Sequence, residues 1–232
     1  MESQDLIIAA KEGNLETVKK LHKEGIDLNT INSSGASALI VAVEKEQEEV
    51  VSYLIKAGAD LNIETKMGGT ALTRAAENGN LTMINQLFEK GVNVSSLALI
   101  VAARKGNLEA VQLLTEKGAD IDFQQRWGHT ALMVAAKSGS LDVVKYLIEE
   151  GANISLRDRN GDTAMMIANE NDHDDVVLVL KRAGAITESK PKKEKNTAPA
   201  PEDEEEEEID DTPDVEDLVS DEQAPDEIDL DD

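Results

Sequence analysis

The feature that most constrains the fold is an internal repeat with a period of 33 residues. An alanine recurs with spacings of 33, 33, 27, 33 and 33 residues, and a glycine follows each copy by sixteen residues. The recurring alanines are Ala9, Ala42, Ala75, Ala102, Ala135 and Ala168. A unit of this length cannot bury its own apolar face, so neighbouring units must stack into a continuous core. The spacing therefore predicts six stacked units in an elongated solenoid.

Each unit is predicted to contain two short helices and a turn-rich loop. In the fifth unit the Thr130 hydroxyl is placed to cap a first helix, and Leu132 begins the inward apolar stripe of that helix. Gly139 ends the helix, because glycine adopts the left-handed conformation at little cost. A second helix is expected over residues 141–150, and the polar segment 152–163 is expected to form a hairpin-like finger.

Short motifs accompany the period and carry a resemblance to a known family. GADLN (58–62) and GADID (118–122) follow second helices, and TAL followed by AA occurs at 70–76 and at 130–136. Together with the period, these motifs resemble the ankyrin repeat over residues 5–186. The resemblance implies an all-α solenoid of stacked helix pairs with β-hairpin-like loops, and a function in protein binding.

The sequence departs from the family pattern in two ways. The family's TPLH motif has neither its proline nor its histidine in any copy of this chain, which predicts modest stability per repeat. Between the third and fourth repeats, eleven residues separate Gly91 from Ala102, where the other copies use seventeen. We therefore expect one shortened hairpin at this point and a notch in the row of fingers.

The composition divides the chain near residue 187, into a repeat domain (1–187) and an acidic tail (188–232). All five prolines follow residue 190, and all fifteen glycines lie at or before position 184. Residues 202–232 contain nineteen Asp and Glu but no Lys or Arg. Because such a segment cannot bury enough apolar surface to offset the entropy of ordering, we predict that the tail is disordered.

The sequence offers no support for an enzyme, a cofactor or a metal site. It contains no cysteine, no nucleotide-binding glycine loop, no pair of histidines at metal-binding spacing and no nucleophile elbow. No apolar run approaches the length that a membrane-spanning helix needs, and we expect no charged-then-apolar leader. We expect a cytoplasmic protein without membrane insertion, monomeric alone, with the lysine cluster 190–195 as a candidate nuclear import signal.

Candidate partner-binding residues follow from the family resemblance, which implies contacts through the finger tips and the exposed face of the first helices. By register Trp127, the only tryptophan, falls on a finger tip. Basic residues concentrate on the same side of repeats 3–6, although the protein is acidic. The full set is Arg74, Arg104, Lys105, Arg126, Trp127, His129, Lys137, Arg157 and Arg159. Exposed Trp and Arg are enriched where binding energy concentrates. The alternative is that Trp127 packs against the next finger for structural reasons.

Two functions are compatible with these features. The first is a non-enzymatic scaffold or adaptor that binds one protein partner through the concave groove and finger tips of repeats 3–6. The alternative is an acidic chaperone or assembly factor whose tail captures basic proteins. A direct nucleic-acid ligand is not expected, because the net charge of −25 repels phosphates. The opposite charges also suggest that residues 202–208 fold back over Arg126, Arg157 and Arg159.

Overall fold

The computed structural model describes residues 2–185, and within them it has twelve helices and no β-strand. The helices are α1 (Glu2–Lys11), α2 (Leu15–Lys23), α3 (Ala38–Glu44), α4 (Glu48–Lys56), α5 (Ala71–Asn78), α6 (Leu81–Glu89), α7 (Ser96–Lys105), α8 (Leu108–Glu116), α9 (Ala131–Lys137), α10 (Leu141–Glu149), α11 (Ala164–Glu170) and α12 (Asp174–Arg182). They form six pairs, each with a first and a second helix, which confirms the predicted all-α solenoid. The acidic tail, with its predicted disorder, lies outside the described residues.

Four of the six first helices in residues 2–185, namely α3, α5, α9 and α11, begin where a hydroxyl side chain accepts a hydrogen bond from a free backbone N–H. The Met133 N–H donates to Thr130 Oγ1 at 3.2 Å, as the sequence predicted. Thr70 and Thr163 cap α5 and α11 in the same way. Such a cap contributes about 1 kcal/mol to a helix that is otherwise too short to be stable alone. The helix starts are therefore encoded locally, while the helices themselves depend on packing.

Small residues allow the first helices to pack closely against one another. The recurring alanines from Ala42 to Ala168 have no exposed surface, and the first one, Ala9, is also buried. Each first helix contacts the first helix of the next repeat, and each second helix packs behind its own first helix. One apolar core runs through these contacts from Leu6 to Leu180. Because each repeat contacts only its neighbours, the stability of the domain is close to a sum over interfaces.

Five loops, here called fingers, connect each second helix to the following first helix. They are finger 1 (26–36), finger 2 (59–69), finger 3 (92–95), finger 4 (119–129) and finger 5 (152–162). In the described part of the chain the one β-type contact is an isolated bridge between Ile31 and Ser37, so the fingers are turns rather than hairpin ladders. Each long finger instead closes through its own turn, as when the Gln125 N–H donates to the His129 carbonyl at 3.1 Å.

A ladder of hydrogen bonds joins the bases of all five fingers. In each rung a side-chain oxygen of one repeat accepts from a backbone N–H of the next repeat. The rungs join Asn29 Oδ1 to Asp60 N at 2.8 Å, Asn62 Oδ1 to Asn93 N at 2.9 Å, Ser96 Oγ to Asp120 N at 3.0 Å, and Asp122 Oδ1 to Asn153 N at 2.8 Å. The ladder passes through the short finger 3 without interruption, so the fingers keep a common register.

Candidate protein-binding surface

The tips of fingers 4 and 5 bring an indole and two guanidinium groups together. Trp127 is 36% exposed. The guanidinium carbons of Arg126 and Arg159 each lie 5.6 Å from the centre of the indole ring, within cation–π distance. We call these three residues the tip cluster. Within residues 2–185 neither arginine of this cluster forms an ion pair, so both charges face solvent.

Backbone contacts between the two fingers hold the tip cluster in place. The Arg159 N–H donates to the Trp127 carbonyl at 3.1 Å, which ties one tip to the other. The Gln124 amide adds a second link, because it donates to the Gly128 carbonyl at 2.7 Å and to the Arg157 carbonyl at 2.9 Å. Residues 32 and 33 apart in sequence therefore form one surface whose spacing does not depend on a partner.

A buried carboxylate supports the same pair of fingers from below. Asp158 is buried, and its Oδ1 accepts hydrogen bonds from the N–H groups of Asn160 and Asp162 at 2.8 and 2.9 Å. Its Oδ2 lies 3.2 Å from His129 Nε2. The Arg157 Nη1 donates to the Gly161 carbonyl at 2.7 Å, within its own finger. His129 and Arg157, which we predicted as partner contacts, are therefore engaged in shaping the fingers.

Arg74, which the sequence predicted to be an accessible groove residue, is buried in the structure. Its side chain is 4% exposed, and Nη1 donates to Glu77 Oε2 at 2.9 Å. Glu44 Oε2 of the preceding repeat lies 3.6 Å from Arg74 Nε, and Lys105 Nζ of the following repeat lies 3.4 Å from Glu77 Oε1. These charges neutralise one another across three repeats. Arg74 is consequently an internal ion-pair residue rather than a contact for a partner.

The remaining predicted residues lie on the first helices. Arg104 is half-buried near the end of α7, and Lys105 is exposed beside its ion pair with Glu77. Lys137 is exposed at the end of α9, and its carbonyl lies 3.0 Å from His173 Nε2 of the next repeat. The structure thus unites Arg126, Trp127 and Arg159 at the tips but does not bring all nine predicted residues into one cluster.

Sequence reasoning missed the acidic and amide groups that organise this surface. The burial of Arg74 could have been predicted from the sequence, because all five of the other repeats carry an aliphatic residue at the same register position. Those residues are Ile8, Val41, Val101, Val134 and Ile167, four of which are buried. An arginine at a core position requires acidic neighbours, which Glu77 and Glu44 provide. No comparable pattern distinguishes Gln124 from an ordinary polar loop residue.

These observations define a helical solenoid built from repeated helix–turn–helix units, with a surface of solvent-facing tips. A family model for ankyrin repeats in three copies matches residues 6–97 and again residues 99–190. The chain belongs to the ankyrin repeat family, which confirms the resemblance found in the sequence. Ankyrin repeats are generally protein–protein interaction modules and typically act as non-enzymatic scaffolds.

A solved structure supports the same assignment. The crystal structure of the human ASB11 ankyrin repeat domain is similar to this chain, with a TM-score of 0.70 and 27% sequence identity. The similarity covers 78% of this chain and 84% of that one. None of the curated proteins compared with this chain matches it. None of the helices in residues 2–185 has the length and apolarity required to cross a membrane.

Proposed function

We propose that this protein is a scaffold or adaptor that binds one protein partner through the groove and finger tips of repeats 3–6. The observation that carries the proposal is the tip cluster, where an exposed indole lies beside two guanidinium groups that form no ion pair within residues 2–185. Trp and Arg are the residue types that most often dominate interface energies. In a chain with a net charge of −25, two exposed arginines that form no ion pair in the described part of the chain favour a partner segment rich in carboxylates.

The geometry favours a preorganised binding surface. Because the backbones of the two fingers are tied by the Arg159–Trp127 hydrogen bond and by Gln124, little backbone freedom is lost when a partner docks. Arg126 and Arg159 lie at the tip level, and Lys137 offers a further charge along the first helices. In this proposal the indole provides apolar contact area, and the arginines set the orientation of the partner. His129 and Arg157 contribute indirectly by shaping the fingers.

A paired set of variants tests the proposal. The double substitution R126A/W127A in the full chain should lose the principal partner in affinity capture followed by mass spectrometry, with affinity lowered at least about tenfold. The matched control is L178A/R182A, which removes an exposed apolar residue and an exposed arginine from α12. The control should retain the partner. Loss of the partner in both variants, or in neither, would contradict the assignment.

A second candidate function rests on the charge of the tail. Residues 202–232 contain nineteen acidic residues and no basic ones, a composition suited to the capture of basic proteins. Under this alternative, the tail does the binding and the repeats only position it. Truncation after residue 187 should then lose the partner, whereas R126A/W127A should retain it. The two proposals therefore make opposite predictions for the same pair of proteins.

A further inference from the structure

The short finger 3 leaves a cleft between finger 2 and finger 4. Its volume is about 440 Å³, and its lining combines apolar residues with polar ones such as Asn62, Glu64 and Asn93. The large apolar residues of the lining are Val92, Val94, Leu97 and Phe123. We call this cleft the notch. None of the three tip-cluster residues is part of its lining, but by register the backbone N–H of Arg126 lies on the side of finger 4 that faces it.

Backbone hydrogen bonds show what the notch lacks. Where two long fingers are neighbours, the later tip donates one N–H to a carbonyl of the earlier tip. These bonds join Lys66 N to Ser34 O at 2.9 Å, and Arg159 N to Trp127 O at 3.1 Å. By the same register, the Met67 carbonyl and the Arg126 N–H face the notch. In the described part of the chain neither group has a protein hydrogen-bond partner. The Met67 carbonyl and the Arg126 N–H are therefore available for the hydrogen bonds that a finger of ordinary length would form.

The space around the tip glycines shows the same difference between joined fingers and the notch. A Cβ built on Gly35 or Gly128 would meet backbone atoms of the next finger at 3.0 Å. A Cβ built on Gly68 would meet only Leu97 Cδ2, at 3.8 Å. Gly35 and Gly128 are covered by a neighbouring finger, whereas Gly68 opens onto the notch. The wall of the notch therefore resembles the surface on which a neighbouring finger packs elsewhere in the row, but within the described residues no finger covers it.

Apolar side chains are exposed around the notch to an unusual extent. Met67 is 56% exposed, Val94 is 42% exposed and Phe123 is 38% exposed. These are three of the eight large apolar side chains that are exposed within the described residues. Apolar residues gathered around a cleft, rather than scattered singly, are typical of interaction sites. Burying this surface would provide the main binding energy for an inserted segment.

The cations on the tips of the two fingers that flank the notch, rather than its lining, indicate the chemistry of its occupant. Lys66 on finger 2 and Arg126 on finger 4 are exposed at the tip level, and neither forms an ion pair within residues 2–185. Glu64 lies two residues before Lys66 on the cleft wall. A complementary segment therefore has carboxylates at its tip, next to the two cations, and apolar side chains along its stem.

From these observations we propose that the notch binds a turn of a partner protein in the place of the shortened finger. The turn donates an N–H to the Met67 carbonyl and accepts from the Arg126 N–H, as a native finger would. Its apolar stem packs on Val94, Leu97 and Phe123, and its acidic tip lies between Lys66 and Arg126. The inference goes beyond the proposed function, because it names a second contact site and the shape of the segment that fills it.

A synthetic hairpin peptide tests the inference. The probe is a labelled cyclic hairpin with aspartates at its tip and leucine and valine on its stem, and its control has lysines at the tip. Fluorescence anisotropy with the full chain should show saturable binding of the acidic hairpin. The basic hairpin should bind at least about tenfold more weakly. The variant V94D/F123D should weaken the acidic hairpin by at least about tenfold, because it places charges on the apolar wall.

Three further variants keep this test decisive. L178D introduces a charge on an exposed apolar residue far along the chain and should leave hairpin binding unchanged. Six residues inserted between Val94 and Ser95 restore a finger of ordinary length and should abolish binding. W127A/R159A removes the core of the tip cluster and should leave hairpin binding within about twofold, since neither residue lines the notch. Failure of the notch is therefore distinguishable from failure of the proposed function.

Hydrogen exchange at the Arg126 amide identifies the occupant. Without peptide, this amide should exchange freely, and the acidic hairpin should protect it. Protection in dilute protein without peptide would show that a segment of this chain fills the notch. Protection only in concentrated protein would show a second copy. Either of these outcomes, or equal binding by wild type and V94D/F123D, would overturn the assignment to a partner's turn.

Discussion

Two neighbouring regions of the finger row, the joined fingers 4 and 5 and the open notch at finger 3, differ at their tips but not at their bases. The base ladder passes through both regions with rungs of 2.8 to 3.0 Å. The tip bond exists only where two long fingers adjoin, as between Arg159 and Trp127. Shortening one finger has therefore removed its tip contacts and kept the repeat register. The comparison shows that the fingertips vary independently of the helical core that supports them.

The two regions also differ in what lies behind the fingers. Near the notch the first helix of repeat 3 carries Arg74, whose charge is balanced by Glu77 and Glu44. Behind fingers 4 and 5 the equivalent position is Val134, which is buried in the apolar core. The notch region thus combines an open tip with an ionic interior, and the joined region combines a closed tip with an apolar interior. Substitutions at equivalent positions therefore measure separately how the tip contacts and the interior contribute to stability.

The largest effect is expected from R74V, which gives repeat 3 the valine found in its neighbours. The substitution removes the guanidinium partner of the half-buried Glu77, which keeps Lys105 as its other ion-pair partner, so the loss should be about 1.5 to 3 kcal/mol. Urea unfolding of the full chain should show this decrease in the free energy of unfolding. The double variant R74V/E77A removes both charges and should recover most of the loss. If R74V alone is neutral, the ionic interior does not stabilise the notch region.

A smaller difference is expected between G128A and G68A, which occupy the same register in the two regions. Both glycines have a left-handed backbone, with φ of +82° and +78°, so each alanine costs about 1 to 2 kcal/mol in strain. At Gly128 the new methyl group also meets Asp158 and Arg159 backbone atoms at 3.0 Å, which adds about 1 kcal/mol or more. Thermal unfolding should therefore rank G128A below G68A. Equal losses would show that fingers 4 and 5 are not closely packed.

The smallest effect is expected from R159A at the joined tip. Removing one exposed cation–π contact should lower the free energy of unfolding by about 0.5 to 1 kcal/mol. The emission of Trp127, the only tryptophan in the chain, should also change, because the indole loses a neighbouring guanidinium. The matched control K66A lies at the same register beside the notch and should change neither quantity. A shift in emission with K66A would contradict the separation of the two regions.

The sequence was sufficient to predict the repeat number, the helix pairs and the start of the capped helices. These features depend on local chemistry that recurs at a fixed period, such as the Thr130 cap and the alanines that permit close helix packing. It was also sufficient to place Trp127 on a tip, because register alone determines that position. The sequence predicted Arg74 incorrectly as an accessible residue, since the acidic groups that bury its charge come from other turns and other repeats.

What the sequence determined by itself is the stack, because each repeat carries its own caps, small residues and apolar stripe. The tertiary structure alone decided which side chains became neighbours across repeats. Arg159 and Trp127 are 32 residues apart, and only the stacking of two fingers brings them into cation–π contact. The same stacking left the Met67 carbonyl and the Arg126 N–H facing one gap. Such contacts depend on distances between separate units, which no local pattern of residues specifies.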